Sequence, residues 1–362
     1  MSPAAHFDTP CYPVLKCLII AVMITTVDMA ATTPAPSTGG GAAVVPGTAV
    51  PGTGVSGFSR ARCAAGWCLV EARPSVLAVS LLRYLTGGVL AASEFAHGHP
   101  LRTLAGAPIW ELAVFAVYLF NGVMDTHEDR VNGSGRPIAR GVLSPRLARR
   151  VAAGAAAAAL MGSIALGIPS MAAIAAYLIV GYFYSGPPCY LKRQPIGSAV
   201  AAASLGPLMC YGGLTAYVGD SWTLPGAGWL AVAAWTWLWM GLVGAPAKDL
   251  GDVIGDAAAR RRTLPVMYGQ SRVRLVVSIS AVSLAIAFVV VSSRLSWWLA
   301  VPGAVVLVGA GAVALLSMKQ PLRSDRSHLR RPYRAFMVTQ FAVYLAVIAS
   351  TGATTLLPGK LR

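Results

Sequence analysis

Residues 271–293 of the chain read SRVRLVVSISAVSLAIAFVVVSS, and the only charges in this run are the arginines of its first turn. A helix needs about 20 predominantly apolar residues to cross the hydrocarbon core of a bilayer. The run is long enough and apolar enough for this, so it predicts a membrane-spanning helix.

Eight further stretches of similar length and character flank this one, and Ala and Gly fill many of them, which favours close helix packing in lipid. The nine predicted spans are 74–92, 108–125, 146–167, 169–185, 196–218, 227–247, 271–293, 297–317 and 334–353. We therefore predict an all-α integral membrane protein. Its nine transmembrane helices would form two four-helix units plus one around a central cavity.

The overall composition supports a membrane protein. Of the 362 residues, 56% are hydrophobic and 12% are charged, and the mean hydropathy is +0.64. A soluble domain carries about 25% charged residues. The composition therefore argues against a soluble enzyme, a disordered chain and a nucleic-acid-binding protein.

The positions of the basic residues account for the net charge of +16. Most of the 29 lysines and arginines flank the breaks after the second, fourth, sixth and eighth predicted spans, whereas the breaks after the odd-numbered spans hold only Arg102 and Arg294. Basic residues concentrate on the cytoplasmic side of a membrane protein. The pattern predicts a cell-membrane protein with a cytoplasmic N-terminus and an exterior C-terminus, in contact with lipid and not with nucleic acid.

The first 60 residues differ from the rest of the chain. Residues 31–57 form an uncharged Pro/Gly/Thr/Ala tract that is typical of a flexible linker. Residues 17–27 form an apolar run that is too short to span and has the length of a signal-peptide core. A cleaved signal conflicts with the predicted cytoplasmic N-terminus, which favours either an over-extended start or a loosely membrane-associated tail. We predict a flexible extension over 1–60 and a membrane domain over 61–362.

The acidic residues are few and clustered. The chain has 13 of them, and residues 121–129, NGVMDTHED, contain three at the end of the second predicted span. We call this the first acidic window. Its spacing of four places Asn121, Asp125 and Asp129 on one helical face. His127 and Glu128 point off that face, and we assign them no role.

The second acidic window is residues 249–256, DLGDVIGD, at the end of the sixth predicted span. Like charges at such spacing repel by roughly 0.2–0.5 kcal/mol per pair, so a cation should compensate them. Oxygen-only ligands suit Mg²⁺. The predicted metal ligands are Asn121, Asp125, Asp129, Asp249, Asp252 and Asp256. The alternative is that these acids are solvated and neutralise nearby arginines. A single pair of acids would favour that alternative, whereas two clusters at equivalent positions favour a metal site.

The two windows occupy equivalent places in the two four-helix units. Each follows the second helix of its unit, and a basic segment follows each, at residues 136–140 and 260–265. This indicates an internal duplication, with both windows at the cytoplasmic mouth of a pocket between the halves. A pocket with a charged mouth and apolar walls suits a molecule with a diphosphate head and a hydrocarbon tail.

Three motifs, which follow one another along the chain, resemble those of the UbiA superfamily of intramembrane prenyltransferases. The first acidic window is followed by Arg136-Pro137, the stretch 182–197 reads YFYSGPPCYLKRQPIG, and the second acidic window is followed by RTLP at 262–265. The resemblance covers about residues 60–353. It implies a UbiA-like fold and a Mg²⁺-dependent prenyl transfer.

The resemblance also implies roles for individual residues. The catalytic set would be Asp125, Asp129, Asp249, Asp252, Asp256 and Lys192. Substrate-binding residues would be Asn121, Arg136, Lys192, Arg193, Lys248, Tyr182 and Tyr184, with the tyrosine rings facing a carbocation. The remaining basic residues, including those at 260–262, are interpreted as topology signals.

The implied reaction moves a prenyl group from a prenyl diphosphate to a small lipophilic acceptor, commonly aromatic in this family, through an allylic carbocation. Two alternatives stay open: a terpene cyclase that ionises the same donor, and a secondary transporter. Arg83, midway in the first predicted span, is expensive in hydrocarbon and should face the interior. Its partner would be an acceptor carboxylate, Glu111 or a backbone carbonyl.

Two positions depart from the family pattern. Gly122 stands where an aspartate often follows the motif asparagine, which implies one fewer metal ligand. Pro188 replaces a tyrosine four residues before Lys192. Both differences leave the acceptor and the outcome of the reaction open.

Overall fold

The structure of the protein is a computed structural model that describes residues 57–319 and 326–356, with side chains for 64–319 and 326–352. The predicted extension, with its linker tract and apolar run, lies outside the described residues, except that a helix, Gly57–Glu71, begins near its end. The C-terminal residues, which we predicted to be exterior, also lie outside them.

Nine helices within the described residues are long and apolar enough to cross a membrane, which confirms the predicted number. They are Pro74–Glu94, Pro100–Met124, Pro145–Leu166, Ile168–Ser185, Pro195–Val218, Ala227–Asp249, Gln270–Leu295, Trp297–Met318 and Arg331–Gly352. We refer to them as the first to ninth spans. The described part of the chain contains no β-strand.

Proline starts several of these spans, because its missing N–H is not needed in the first helical turn. The second span begins at Pro100 and not at the predicted 108, so Pro108 lies inside the helix. The helix thus begins eight residues before the predicted start, and its first turn carries Arg102, which approaches Asp220 at 3.6 Å.

The sixth span is not a uniform α-helix. It contains the α-helical segments Ala227–Leu238 and Ala245–Asp249, joined by a π-helical turn, Trp239–Gly244. Wider turns of this kind often occur at functional sites. The span extends to Asp249, two residues beyond the predicted end, so the second acidic window begins inside the helix.

The spans form a closed arrangement. Each packs against the next, the first also packs against the fifth, and the ninth returns to the first. The first and fifth spans approach closely because a Cβ at Gly87 would overlap the carbonyl of Cys210, so only glycine fits there. Side chains of several spans line a cavity that reaches the end of the second span, where Asn121 and Asp125 of the first acidic window lie.

Short helices cover this side. Thr126–Val131 follows the second span, and Val253–Ala258 and Leu264–Tyr268 follow the sixth. The first two pack together, and the Gly255 N–H donates to Asn132 Oδ1 at 2.9 Å. The two halves of the chain therefore meet at the mouth of the cavity.

Candidate active site

The first acidic window crosses a break between two helices. The second span ends at Met124, and Asp125 (φ −93°, ψ 3°) precedes the helix Thr126–Val131. The Asp129 N–H still donates to the Asp125 carbonyl at 2.8 Å, so the helical spacing continues across the break. Of the three predicted ligands here, Asn121 and Asp125 line the central cavity, whereas Asp129 does not.

Asp125 is the centre of an ion-pair cluster. Its carboxylate lies 2.7 Å from Lys192 Nζ, 2.5 Å from Arg261 Nη2 and 3.8 Å from Arg136 Nη1. Burial alone would raise the pKa of this carboxyl, but the three cations outweigh burial and hold that pKa well below its usual range. Asp125 is therefore ionised throughout the physiological pH range.

In the second acidic window, Asp252 is paired with two arginines from the segment before the ninth span. Arg326 Nη2 lies 2.7 Å from Asp252 Oδ1, and Arg330 Nη2 lies 2.8 Å from Oδ2. Burial would raise the pKa of Asp252, but Arg330, Lys248 and Arg326 together lower it. Asp249, the other acid at this end of the sixth span, lies 3.5 Å from Lys248 Nζ.

Arg261 joins the two windows. Its guanidinium contacts Asp125 and, at 2.8 Å, Glu128 on one side, and approaches Asp256 at 3.5 Å on the other. Burial would lower the pKa of Arg261, but these three carboxylates raise it above its usual range. The carboxylates of both windows thus lie within reach of one guanidinium, as the predicted pocket between the halves requires.

Sequence reasoning missed Arg261 and Glu128. Arg261 was interpreted as one of several topology signals and Glu128 was left without a role, yet both are buried. The sequence carried no signal for this choice, because Arg261 stands between two other arginines and only the structure shows that Arg260 and Arg262 are exposed.

Arg136, which we predicted to bind substrate, is held by carboxylates of the protein itself. It lies 2.6 Å from Asp129 and 2.8 Å from Glu71, and it donates to the Glu71 carbonyl at 3.0 Å. It is not among the residues that line the cavity. A Cβ at Gly122 would overlap the Glu71 carboxylate and press on Arg136, so glycine at 122 makes room for this ion pair.

The central cavity combines a charged mouth with apolar walls. Its volume is about 80 Å³, so mouth and wall side chains must move apart before a substrate enters. The charged lining residues are Arg73, Arg83, Asp125, Lys192, Lys248 and Arg261. The walls include Val76, Val79, Val117, Leu205, Met240 and Phe336. Five cations and one carboxylate give this lining a net positive charge.

The structure separates the two tyrosines of the predicted set. Tyr184 lines the central cavity. Tyr182 instead stacks on Phe120 with ring centroids 5.4 Å apart and lines a separate lateral groove between the second, third and fourth spans. Arg193 lies over the ring of Tyr190, 4.3 Å from its centroid, and is likewise absent from the cavity lining.

The donor set fits a hard cation such as Mg²⁺, although the acids are not gathered into a metal cage. Within the described residues, no three His, Cys, Asp or Glu side chains form a ready metal-binding group, because lysines and arginines hold the acids. Asp256 Oδ2, however, is buried with no hydrogen-bond partner. The side-chain amide N–H of Asn121 donates to the hydroxyl of Ser185 at 2.9 Å, which leaves the amide oxygen of Asn121 available to a metal ion. Burial raises the pKa of Asp256, as expected of a carboxyl with too little positive charge around it.

The fold and the site define a helical membrane protein whose cavity suits an anionic head and an apolar tail. A family model described as the UbiA prenyltransferase family matches residues 80–353. The chain belongs to this family and is a prenyltransferase, which confirms the resemblance seen in its motifs. Membership in an enzyme family also removes the transporter alternative.

Relatives named as prenyltransferases match this chain, and a solved structure shares its fold. A digeranylgeranylglyceryl phosphate synthase of Halobacterium salinarum is 34% identical over 254 residues, covering 67% of this chain and 86% of that protein. The synthase of the same name from Methanopyrus kandleri is 32% identical over 59% of this chain and 74% of its own length. A UbiA homolog from Archaeoglobus fulgidus bound to GPP and Mg²⁺ superposes with a TM-score of 0.61 at 18% identity, over 80% of this chain and all of that one.

Proposed function

We propose that the protein transfers a prenyl group from a prenyl diphosphate, in a Mg²⁺-dependent reaction, within the central cavity. The observation that carries this proposal is the lining of the mouth, to which Arg73, Lys192, Lys248 and Arg261 contribute four cations and Asp125 one carboxylate. A diphosphate would bind beside these cations, and the apolar walls below suit its hydrocarbon tail.

The basic side chains would act on the leaving group. Negative charge grows on the diphosphate as its bond to the allylic carbon breaks, so fixed cations stabilise the transition state more than the bound donor. Lys192 is suited to this role because it is buried, contacts Asp125 at 2.7 Å and lines the cavity. Arg136 instead positions Asp129 and Glu71, and we propose no phosphate contact for it.

The acids of both windows would hold Mg²⁺ when it binds. The proposed ligands are Asn121, Asp125, Asp249, Asp252 and Asp256, with Asp129 held behind them by Arg136. The bound metal would neutralise the diphosphate oxygens as the bond breaks. Asp125 and Asp252 would then exchange part of their present arginine and lysine contacts for the metal.

The carbocation left by the donor must be kept from water. Val79, Val117 and Leu205 provide apolar walls below the charged mouth. Tyr184 lies in the same lining and offers a ring face to the cation. Tyr182 is excluded from this role because it faces the lateral groove.

The relatives change the expected acceptor. We expected an aromatic acceptor, but the relatives that match are named as synthases of digeranylgeranylglyceryl phosphate. We therefore propose an acceptor of the glyceryl phosphate type, whose hydroxyl oxygen would bond to the allylic carbon and release its proton. The basic mouth suits the phosphate of such an acceptor as well as the donor.

We also propose the orientation that the basic residues predict. The mouth, with Lys192, Arg261 and Arg326 beside it, would face the cytoplasm, and the protein would lie in the cell membrane. Labelling an introduced cysteine at exposed Arg262, in intact cells and in inverted vesicles, tests this orientation.

The test of the function is release of diphosphate by purified protein given Mg²⁺ and a prenyl diphosphate, followed by mass spectrometry of the products. With a glyceryl phosphate acceptor we expect a prenyl ether. A cyclic hydrocarbon formed without acceptor would instead establish the cyclase alternative. Asp125→Asn should lower diphosphate release about 100-fold, whereas Asp220→Asn, an exposed acid at the opposite end of the spans, should not.

A further inference from the structure

The lateral groove between the second, third and fourth spans is a large space that the proposed reaction does not use. Its volume is about 740 Å³, within the roughly 300–1,000 Å³ of ordinary ligand pockets. Among the described residues, Val117 alone lines both this groove and the central cavity. The cations Lys192, Lys248 and Arg261 do not line the groove, so it is a space apart from the basic mouth.

The body of the groove is apolar and faces the lipid. Ile179 and Tyr182 line it and are 54% and 44% exposed, although both lie within the fourth span. The third span contributes alanines at 152, 153 and 156, whose methyl groups leave the space open. A contiguous apolar surface that is exposed at membrane depth marks a site for another apolar molecule. A hydrocarbon chain suits this part of the groove.

The groove has the depth of one lipid leaflet. Arg149 and Leu160 both line it and are eleven positions apart on the third span, which corresponds to roughly 16 Å along a helix. One leaflet contributes half of the roughly 30 Å hydrocarbon core. At the other end the lining passes the end of the fourth span, Ser185, and reaches Tyr190. The groove therefore runs from the level of the lipid headgroups to the middle of the membrane.

Arginines surround the headgroup end of the groove. Arg149 lines it, and Arg146 and Arg150 lie beside Arg149 at the start of the same helix. Arg193 lies over the ring of Tyr190, which also lines the groove. All four arginines are exposed, and no carboxylate among the described residues pairs with any of them. This end of the groove carries positive charge that the protein itself does not neutralise.

We propose that the lateral groove binds an anionic phospholipid, with its acidic headgroup beside Arg149 and one acyl chain in the apolar body. Basic pockets between membrane helices bind acidic lipid headgroups in this way. The apolar body alone would accept the tail of any lipid, so the arginines select the charge of the headgroup. The inference is independent of the proposed function, because it requires neither Mg²⁺ nor a prenyl diphosphate.

Charge also argues against a second copy of the chain as the occupant. A two-fold symmetric contact places the same surface of each copy against the other. Here it would bring Arg146, Arg149 and Arg150 of both copies together without acids between them. An anionic lipid removes this repulsion, whereas a second copy would double it.

The experiment measures lipid retention by the purified full-length protein in a neutral detergent, using native mass spectrometry. Phosphatidylglycerol, which is anionic, and phosphatidylcholine, which has no net charge, are added in equal amounts with identical palmitoyl and oleoyl chains. The readout is the ratio of the two bound lipids. We expect the wild type to favour phosphatidylglycerol by at least about fivefold, which is the scale of one basic residue beside an anionic lipid.

The first variant tests the headgroup end. Arg149→Gln should lower the preference for phosphatidylglycerol by about fivefold. The matched control is Arg272→Gln, which removes an equally exposed arginine near the start of the seventh span, away from the groove. The control should leave the ratio unchanged.

The second variant tests the apolar body. Ala156→Phe places a ring in the groove and should lower the retention of both lipids several-fold, because it removes the space for the acyl chain. Ala157 is the next residue and is exposed, but it does not line the groove. Ala157→Phe should therefore retain both lipids as the wild type does.

Each contrary result overturns the inference. Equal retention of the two lipids by the wild type does so, as does a ratio that Arg149→Gln leaves unchanged. Undiminished retention by Ala156→Phe would place the bound lipid elsewhere. A wild-type dimer that Ala156→Phe separates would make the groove an interface between two copies. Diphosphate release tests the proposed function separately and is not decided by any of these results.

Discussion

At the scale of single residues, Arg261 links the two halves of the site. It is buried and contacts Asp125, Glu128 and Asp256. Removing one partner of a buried ion pair leaves the other charge uncompensated, which costs about 3–5 kcal/mol. We therefore expect Arg261→Ala to lower the free energy of unfolding by that amount, measured by denaturation in detergent.

Neighbouring residues supply the control for this prediction. Arg262 adjoins Arg261 in sequence but its side chain is exposed, so Arg262→Ala should change stability by less than about 0.5 kcal/mol. If both variants lost the same free energy of unfolding, Arg261 would be only one member of a general basic surface.

Asp125 gives the site a defined response to pH. Its folded-state pKa lies below the unfolded value of about 4, so its stabilisation is present above that pH and is lost as the pH falls through the lower folded value. The stability difference between wild type and Asp125→Asn should stay constant from about pH 8 to about pH 5 and shrink only below about pH 4. A difference that already declines near neutral pH would contradict the ion-pair cluster.

Residue spacing predicted the acids but not their partners. Asn121, Asp125 and the acids of the second window were found because few acids occur in the chain and they recur at helical intervals. The choice of Arg261 over Arg260 and Arg262 depends on which side chain turns inward, and the sequence shows three adjacent arginines without that information.

At the scale of helices, the crossing of the first and fifth spans depends on small residues. A Cβ at Gly87 would overlap the backbone carbonyl of Cys210, which cannot move without separating the two spans. We expect Gly87→Ala to destabilise the protein by about 1–3 kcal/mol through overpacking, measured as a lowered midpoint of thermal unfolding in detergent.

Gly154, in the third span, provides the comparison. A Cβ there meets no atom within 4 Å, and replacing glycine by alanine within a helix is favourable by up to about 1 kcal/mol. Gly154→Ala should therefore leave the unfolding midpoint unchanged or raise it. If both variants lowered the unfolding midpoint by a similar amount, the flexibility that glycine gives to a helix would matter more than the close approach of the first and fifth spans.

Hydropathy predicted the spans but not their interruptions. Long apolar runs identified all nine helices, because crossing a bilayer imposes a minimum length. The early start at Pro100 and the wide turn at Trp239–Gly244 follow from contacts at the interface and between helices, for which the composition of the segments gives no signal. Tyr182 and Tyr184 differ in this respect, because side chains two residues apart on an α-helix point about 200° apart, so their spacing already indicated that they face different spaces.

At the scale of the whole molecule, the segment before the ninth span closes the mouth over both halves. Arg326 and Arg330 hold Asp252, and Arg326 also donates to the Asn132 carbonyl at 3.3 Å. If Asp252 is one of the proposed Mg²⁺ ligands, these arginines would compete with the metal for its oxygens. The double variant Arg326→Gln with Arg330→Gln should therefore reach half-maximal diphosphate release at several-fold lower Mg²⁺.

Arg331, the first residue of the ninth span, provides the control for this effect. Arg331 is exposed, so Arg331→Gln should leave the Mg²⁺ requirement unchanged. If the double variant needs more Mg²⁺, or loses release at every Mg²⁺ concentration, the two arginines bind substrate and do not compete with metal.

The meeting of the two acidic windows was predictable at this scale, because each window follows the second helix of its four-helix unit; the internal duplication itself stays a prediction. The contact of Arg326 and Arg330 with Asp252 was not predictable, since nothing in the sequence before the ninth span marks Asp252 as their partner.

Gly122 limits how this site can change over evolutionary time. Any side chain at that position would overlap the Glu71 carboxylate and press on Arg136, and an aspartate would add like-charge repulsion to Glu71. A side chain at 122 would therefore require Glu71 and Arg136 to take other positions, so this glycine and the ion pair beside it have to change together.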